Sequence, residues 1–501
     1  MNKSILLLLL ITGVFIELPS QAQNQAKQKS VEVFTLSDVI RLARKQSIAA
    51  LRASTLRENY YWRYRVYKSN YNPQLSLSGT FPGFSHTYDE VRQPDGSYDF
   101  KPVDINNSTL NLDLDQSIGA LGTSVFVSSN IKRFDNFGNG QGYSNSKHLY
   151  SGNPVSIGIR QPLFRYNQLR WDSKIEPLRY EASKRQYAGD MESISVETAR
   201  RFFVLLTAQI SYEISTKNLA NNDTIYRIGE GRYNLGKIAE NDLLQLELNV
   251  MTSKQQAAEA KVEMEAATLR IKTFIGLADV DSIYLILPDK IPLVAVDKEI
   301  ALAEARKNRA DAITFTINQL EAERGVAQAH GENGFVGDLN ATYGLTNRTE
   351  GAVTELYKSP LSSQTVNIGF SFPVLDWGRQ KSRLKTAEAN LKLVEYSTQQ
   401  DQLNFDETVY TQVQQFLMLH EQVKIAERTD FVANKRFEIT KNRYMIGKIS
   451  ITDLNLALQA KDQAKSDYIS SLSNFWNAYY TLRQLTLYDF ELNQSLYNVQ
   501  E

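Results

Sequence analysis

The chain contains 501 residues, and its 56 Lys and Arg residues are balanced by 56 Asp and Glu residues, so the formal net charge at pH 7 is zero. The charges are mixed along the sequence, which argues against a nucleic-acid-binding surface, because such a surface needs a basic excess on one face. The chain contains no cysteine, which excludes a disulfide framework and a lipid anchor attached to a cysteine.

The first 22 residues have the three parts of a secretory signal peptide. Lys3 supplies the positive charge, residues 5–16 form the apolar run, and residues 20–22 form a small-residue cleavage site. The apolar run is shorter than the roughly 20 residues that a membrane-spanning helix needs. We therefore expect an exported mature chain that begins with a short segment at 23–33.

Two stretches of the chain, here called the twin turns, are near copies of each other. Residues 232–243 (RYNLGKIAENDL) and 443–454 (RYMIGKISITDL) are identical at seven of twelve positions, at an offset of 443 − 232 = 211 residues. Residues 155–162 and 366–373 repeat at the same offset, whereas residues 43–45 and 305–307 repeat at an offset of 262. The chain is thus predicted to contain two copies of one structural unit, with about 262 − 211 = 51 extra residues in the first copy.

This duplication sets the predicted domain organisation. The first repeat covers 34–276 and the second covers 298–487, with a linker at 277–297 and a tail at 488–501. Each repeat is expected to contain a helix, strands and a long helical hairpin.

Short segments of each repeat alternate between apolar and polar residues, which predicts strands with one apolar face. They lie within about 73–162 in the first repeat and about 337–374 in the second. About 9–11 residues are what a tilted strand needs to cross a bilayer. Four such segments in an exported chain favour membrane strands over a half-exposed soluble sheet. The alternating apolar positions are Leu75, Leu77, Val155, Ile157, Ile159, Leu339, Ala341, Tyr343, Val366, Ile368 and Phe370.

The 51 extra residues predict an added hairpin in the first repeat. Leu110, Leu112 and Leu114 alternate with polar residues, a weaker run follows at 122–131, and a Gly/Asn/Ser-rich loop follows at 136–145. The sequence leaves open whether this hairpin joins a barrel wall or stands outside the membrane.

Most of the remaining chain predicts very long helices. One runs from 167 to 233, and these 67 residues would span about 100 Å at ~1.5 Å per residue. Returning helices are predicted at about 241–274 and 453–487. Apolar residues step by three and four along the first of these helices, as in a coiled-coil seam, at Val196, Ala199, Phe203, Leu206 and Ile210.

The twin turns are predicted to reverse the long helices. Gly236 and Gly447 suit the left-handed residue that follows a helix. Asn241 or Thr452 is expected to cap the returning helix, and Asp242 or Asp453 would place a carboxylate in its first turn, where negative charge is favourable.

Four strands, or six with the hairpin, are too few to close a barrel in lipid. An open sheet edge in hydrocarbon leaves backbone groups unpaired at several kcal/mol each, and small membrane barrels begin at ~8 strands. Several copies are therefore expected to share one barrel, while their helices stand in water. This predicts an α+β protein that forms a conduit.

The order of elements resembles the TolC-like outer-membrane efflux proteins, the channel components of tripartite drug pumps and type I secretion. The resemblance covers roughly 34 to 487 and is carried by the twin turns, the strand-to-helix junctions at 161–164 (QPLF) and 372–378 (FPVLDWG), and the opening FTLSDVIRLA at 34–43. It implies a homotrimer in the outer membrane, with about four strands per chain in a shared 12-stranded barrel. That barrel would continue into a long periplasmic α-helical barrel and would export small molecules or polypeptides.

The same resemblance implies that the twin turns close the tip of the channel. In this family a first-turn Asp pairs with a second-turn Tyr, and a further Asp forms an acidic ring that would favour cations. The gate residues implied here are Asp242, Tyr444, Asp453 and Asn241. A second acidic position of the family falls on Leu456, and a locking Arg falls on Ile449. A periplasmic adaptor (membrane fusion protein) of an inner-membrane transporter would contact Arg232, Tyr233, Gly236, Lys237, Arg443, Gly447 and Lys448.

Enzyme chemistry receives little support, and no cofactor is expected. The G-x-G-x-G stretch at 138–142 lacks the preceding strand and following helix of a phosphate-binding loop. The alternative function is an exported coiled-coil adaptor or scaffold with a small β domain, which would extract without detergent. A metal site is disfavoured because the four histidines are scattered, at His86, His148, His330 and His420.

Overall fold

The computed structural model describes residues 31–137, 148–277, 282–288, 291–292 and 295–497. These residues fold into long helices and one large antiparallel sheet, so the predicted α+β class is confirmed. No helix in this part of the chain combines the length and apolar character that a bilayer crossing requires. The predicted signal peptide, the G-x-G-x-G stretch and most of the loop at 136–145 lie outside the described residues.

The helices reproduce the duplication seen in the sequence. In chain order they are α1 (Leu36–Gln46), α2 (Ile48–Ser69), α3 (Gln168–Asn234), α4 (Glu240–Ile275), α5 (Lys298–Asn308), α6 (Ala310–Gly331), α7 (Arg379–Met445) and α8 (Ile451–Thr486), with a 3-10 helix at Val353–Tyr357. Helices α3 and α7 contain 67 residues each, and α4 and α8 contain 36 each. The start of α7 follows that of α3 by 379 − 168 = 211 residues, and the start of α5 follows that of α1 by 298 − 36 = 262. The two internal repeats are therefore confirmed.

The four long helices lie side by side. Helix α3 packs against α4 and α8, and α8 packs against α7, which gives the order α4-α3-α8-α7. This order leaves α4 and α7 as the two edges of the helical layer.

The main core joins both repeats near the middle of the long helices. Its largest fully buried side chains include Phe203 of α3, Phe416 of α7 and Phe475 of α8, and the rings of Phe416 and Phe475 lie 5.3 Å apart. The predicted seam is confirmed at Ala199, Phe203 and Leu206, which are buried. Full burial of such a side chain contributes about 1.5–3 kcal/mol, so this core holds the two repeats together.

The strands form one large sheet and two small ones. In chain order they are β1 (Val31–Phe34), β2 (Gln74–Thr80), β3 (Phe84–Arg92), β4 (Tyr98–Ile118), β5 (Thr123–Asn136), β6 (His148–Leu163), β7 (Ser282–Leu285), β8 (Val336–Thr349), β9 (Leu361–Ser371), β10 (Tyr488–Asp489) and β11 (Gln494–Ser495). The large sheet has the order β2-β4-β5-β6-β8-β9, with β3 placed beyond β2 on the same side of β4.

The sequence left open whether each chain has four strands or six with the added hairpin, and the large sheet answers this question. The described sheet has six strand positions, because the added hairpin, β4 with β5, lies between β2 and β6. Strand β4 is long enough for β2 and β3 to pair with it end to end, through Gln74↔Asp115 and Arg92↔Tyr98 at the two extremes. The hairpin joins the sheet because its strands pair with neighbours on both sides.

The predicted alternation is confirmed across the large sheet. Leu75 pairs with Leu114, and Ile157 pairs with Tyr343, and all four of these side chains are exposed on one face. Polar side chains predominate on the other face, as in the pair of Ser128 and Ser156, and Phe126 lies among them. A sheet with one large exposed apolar face requires a covering environment.

A small sheet and a buried ion-pair network lie beside the main core. Strand β1 pairs in parallel with β7, which lies in the predicted linker, and Ile283 of β7 contributes to the core. The Glu192 carboxylate is fully buried and accepts hydrogen bonds from Arg44 at 2.9 Å and Arg483 at 3.2 Å. Arg483 also donates to Asp489 at 2.7 Å. This network ties α1, α3, α8 and the C-terminal segment together.

Candidate functional site at the twin turns

The twin turns have nearly identical backbone geometry. Gly236 and Gly447 take left-handed φ values of 68° and 75°. In the first turn the Lys237 N–H donates to the Arg232 carbonyl at 2.9 Å, and the Gly236 N–H donates to the Tyr233 carbonyl at 2.8 Å. The second turn repeats both bonds at the same distances. This is the Schellman motif, which satisfies the last carbonyls of a helix, and the predicted role of both glycines as helix ends is confirmed.

The N-termini of the returning helices differ from the prediction. Helix α8 is capped by Ser450, whose hydroxyl and backbone N–H both bond to Asp453 in a capping box. Helix α4 begins after Ala239, whose side chain makes no cap. The predicted caps Asn241 and Thr452 are wrong, because both residues already lie inside the first turn of their helices.

We expect Ser450→Ala to weaken the start of α8 by about 1 kcal/mol, since an uncapped N–H is left without its acceptor. Ala239→Ser, at the matching position of the first repeat, should strengthen the start of α4 by a similar amount. Hydrogen exchange of the amides at 451–456 and 240–245 measures both effects locally. Equal exchange in the Ser450 variant and the parent protein would show that the cap is unimportant.

Arg232 connects the two turns. Its guanidinium donates to the Met445 carbonyl at 2.7 Å and to the Tyr444 carbonyl at 3.5 Å, and it lies 5.5 Å from the centre of the Tyr444 ring. The acceptors are the last carbonyls of α7, where a helix attracts positive charge. The family resemblance implies for Arg232 only a contact with an adaptor, so this link between the turns is a finding of the structure.

The matching arginine of the second repeat behaves differently. Within the described chain, Arg443 makes no side-chain hydrogen bond or ion pair and is exposed. The two tyrosines differ likewise: Tyr444 is 7% exposed, whereas Tyr233 is 39% exposed. Arg232 and Tyr444 therefore link the two turns within one copy, whereas the equivalent residues Arg443 and Tyr233 are exposed.

The side chains of the predicted pair, Asp242 and Tyr444, interact through the charge of Asp242 and not through a direct bond in the described chain. No hydrogen bond joins their side chains in the described chain. Burial raises the pKa of the Tyr444 phenol, the Arg232 charge opposes that rise, and the Asp242 charge adds to it. The phenol therefore stays neutral and can donate a hydrogen bond if Asp242 moves nearer.

A small apolar cluster stabilises the tip. Tyr444 packs with Phe437 of α7 and with Leu246 of α4, and Ile449 is packed against the same cluster. Ile449 occupies the position where the family resemblance implies a locking Arg. It contributes apolar packing there, so the second turn is held by burial as well as by the polar contacts of Arg232.

The remaining predicted site residues lie on the surface of the tip. Lys237 and Lys448 are exposed at the ends of the two turns, and Asn241 is exposed in the first turn of α4. Leu456, which replaces an acidic residue of the family pattern, is exposed on α8. Among the described residues, no group of three or more acidic or histidine side chains could hold a metal ion.

A family model described as outer membrane efflux protein matches residues 39–277 and 299–486, which together make up most of the chain. No curated protein matches the sequence. Several solved structures have a similar fold. The CmeC outer membrane channel of Campylobacter jejuni has a TM-score of 0.63 and 16% sequence identity, covering 90% of this chain and 85% of that chain.

The outer membrane protein VceC of Vibrio cholerae has a TM-score of 0.61 and 13% identity, covering 90% of this chain and 95% of that chain. The open state of the MtrE outer membrane channel of Neisseria gonorrhoeae has a TM-score of 0.58 and 14% identity, covering 90% of this chain and 88% of that chain. The likeness at these identities is one of fold.

Proposed function

Because this chain belongs to the outer membrane efflux protein family, we propose that three copies assemble into one conduit through the outer membrane and the periplasm. The chain is an outer-membrane channel component of an efflux system, and its family consists of channel proteins. The alternative of an exported coiled-coil scaffold is set aside on the same ground.

The edges of the helical layer carry the main support for the trimer. On α4, exposed apolar residues follow heptad spacing at Leu244, Leu248, Met251, Val262 and Leu269. On α7, two exposed series repeat every seven residues, at Tyr396, Leu403, Tyr410 and Leu417 and at Met418, Ile425, Val432 and Ile439. Heptad apolar stripes are typical of coiled-coil seams. Because both stripes lie on open edges, α7 of one copy fits α4 of the next.

The large sheet has the same need for neighbours. Strands β2 and β9 are its two edges, and each has a pairing partner on one side only in the described chain. Unpaired backbone groups in lipid cost several kcal/mol each, so the apolar-faced sheet requires closure. Strand β9 leads into α7 along the chain, so the β9 edge of the sheet continues into the α7 edge of the helical layer. A ring of three copies would close both layers.

We place the twin turns at the periplasmic tip, where six of them would meet in a trimer. The exposed side chains of Tyr233, Lys237, Arg443 and Lys448 would contact a periplasmic adaptor that belongs to an inner-membrane transporter. Asp242 and Tyr444 would narrow the opening, and three copies of Asp453 would form an acidic ring that favours cations over anions. The cargo would be small molecules or polypeptides.

We expect native mass spectrometry of detergent-purified protein to give a mass of three chains. The double variant Leu248→Glu with Met251→Glu should shift this mass to one chain, because the seam would have to bury unpaired carboxylates. Gln256→Glu adds the same kind of charge on α4 away from the stripe and should leave the trimer intact. A parent protein that is monomeric and dissolves without detergent would refute the proposed channel.

A further inference from the structure

We propose that the hairpin formed by β4 and β5 is part of the membrane wall, so that three copies of six strands close an 18-stranded barrel instead of a 12-stranded one. This inference rests on the proposed trimeric channel. It assigns to residues of the hairpin a new role, that of lining a wider pore. The occupant of each open sheet edge is a second copy of this chain, with β9 of one copy paired to β2 of the next.

The pairing pattern places the hairpin inside the wall over its whole height. Strand β4 pairs with β2 from Gln74↔Asp115 to Thr80↔Thr109, and it pairs with β5 from Ile118↔Thr123 up to Ile105↔Asn136. Strand β5 pairs in turn with β6. In the described chain β2 and β6 never pair, although they would be neighbours if the hairpin stood outside the wall.

The faces of the hairpin match those of the sheet that surrounds it. One apolar row crosses five strands through successive register partners, at Leu75, Leu114, Val127, Ile157 and Tyr343. The adjacent row crosses all six strands and contains only polar residues and glycine, at Ser76, Asp113, Ser128, Ser156, Gly344 and Ser363. Apolar-out and polar-in alternation is what a membrane barrel requires of each strand. A hairpin that projected into water would not need this match.

The strand directions also allow closure. All neighbouring strands in the large sheet are antiparallel, so the six positions alternate in direction and the two edge strands run oppositely. Strand β9 of one copy therefore meets β2 of the next in the antiparallel arrangement that single-chain barrels of even strand number use. Val366, Ile368 and Phe370 on β9 are exposed on the same face as Leu75 and Leu77 on β2.

The added strands change what the pore can pass. Barrel diameter grows roughly linearly with strand number, so 18 strands give about 1.5 times the diameter of 12, and barrels of 16–18 strands leave an aqueous channel. On the polar face Asp115 lies 3.8 Å from Arg160 and is compensated, whereas Asp113 makes no ion pair in the described chain. Three copies of Asp113 would give the wider pore a preference for bulky neutral or cationic solutes.

Single-cysteine variants test this placement cleanly, because the natural chain contains no cysteine. The probe is a cationic methanethiosulfonate reagent added to single channels in planar bilayers, because a positive group on the pore wall opposes the flow of cations. We expect Asp113→Cys to show up to three stepwise decreases in current, one for each copy, because its side chain faces the pore. The adjacent Leu112→Cys faces lipid and should show none. Asn111→Cys is a second pore-facing variant on β4, in case Asp113→Cys fails to insert.

Asn340→Cys on β8 separates failure of this inference from failure of the proposed channel. Asn340 lies on the polar face in a strand that belongs to the wall with 12 or with 18 strands. Stepwise block at Asn340→Cys without block at Asp113→Cys or Asn111→Cys would overturn the 18-stranded wall and leave the channel standing. No channel current in the parent protein, or no block at any of the three pore-facing variants, would refute the proposed channel and this inference together.

Discussion

Glu192→Ala is expected to destabilise the helical part of the protein by about 3–5 kcal/mol. The Glu192 carboxylate is fully buried and is the shared acceptor for Arg44 and Arg483. Burial alone would lower the pKa of Arg483, but the charges of Glu192 and Asp489 and its contact with Tyr479 outweigh that effect and raise it. Arginine keeps its charge in proteins, so removal of Glu192 takes the buried partner from Arg44 and leaves Arg483 with Asp489 alone. Loss of one partner of a buried ion pair carries a penalty of this size. Denaturant unfolding followed by circular dichroism measures the change.

Glu197→Ala provides the matched control on the same helix. Glu197 accepts hydrogen bonds from Arg200 and Arg201, but this cluster is partly exposed. Its removal should cost no more than about 1 kcal/mol, as is usual for solvated ion pairs. Similar losses in the Glu192 and Glu197 variants would show that burial gives the Glu192 network no special importance.

The helices could be predicted well because their signals are local and long. The predicted helix at 167–233 corresponds to α3 at Gln168–Asn234, and the predicted return at 241–274 corresponds to α4 at Glu240–Ile275. A seam of apolar residues spaced by three and four persists over many turns, and α4, α7 and α8 contain no proline to interrupt it. Because of the duplication, the same helical pattern occurs a second time in the chain and supports the prediction.

The sheet was less predictable because strand pairing depends on distant residues. The alternation of Leu110, Leu112 and Leu114 with polar residues predicts a strand, but no local feature of the sequence indicates that its neighbours are β2 and β5. Strand β3 was not predicted, because Phe84–Arg92 lacks a sustained alternation of apolar and polar residues. The strand forms through its pairing with β4. The position of the hairpin in the sheet is therefore determined by strand pairing in the folded chain.

The candidate site shows a similar limit. Arg232 and Arg443 occupy equivalent positions in the twin turns, yet only Arg232 reaches the opposite turn within one copy. Because the two arginines have the same local sequence positions, the sequence does not indicate which of them contacts the other repeat. Cap preference likewise favoured Asn241, whereas the backbone of the turn starts α4 after Ala239, which matches Ser450 at an offset of 450 − 239 = 211. Turn geometry, shared by both repeats, outweighs side-chain preference there.

Arg232→Ala is expected to open the tip and to raise single-channel conductance in planar bilayers. The guanidinium donates to the last two carbonyls of α7, and hydrogen bonds from a charged group contribute about 1.5–3 kcal/mol each. Its loss also uncovers the Tyr444 ring, which lies 5.5 Å from the Arg232 charge. Because every 1.4 kcal/mol shifts an equilibrium tenfold, loss of this link in three copies should move the tip far toward its open form.

Arg227→Ala and Arg232→Lys locate the effect. Arg227 lies on the same helix and, within the described residues, pairs only with Asp223 of its own helix, at 2.9 Å. Its removal therefore takes away one charge near the tip without affecting the second turn. Conductance of that variant should equal that of the parent channel. Lysine at 232 keeps the charge near the C-terminus of α7 but cannot match the planar donor geometry of arginine, so we expect an intermediate conductance. Equal conductance in all three variants would mean that the two turns are held together without Arg232, by the apolar cluster around Tyr444 and Ile449.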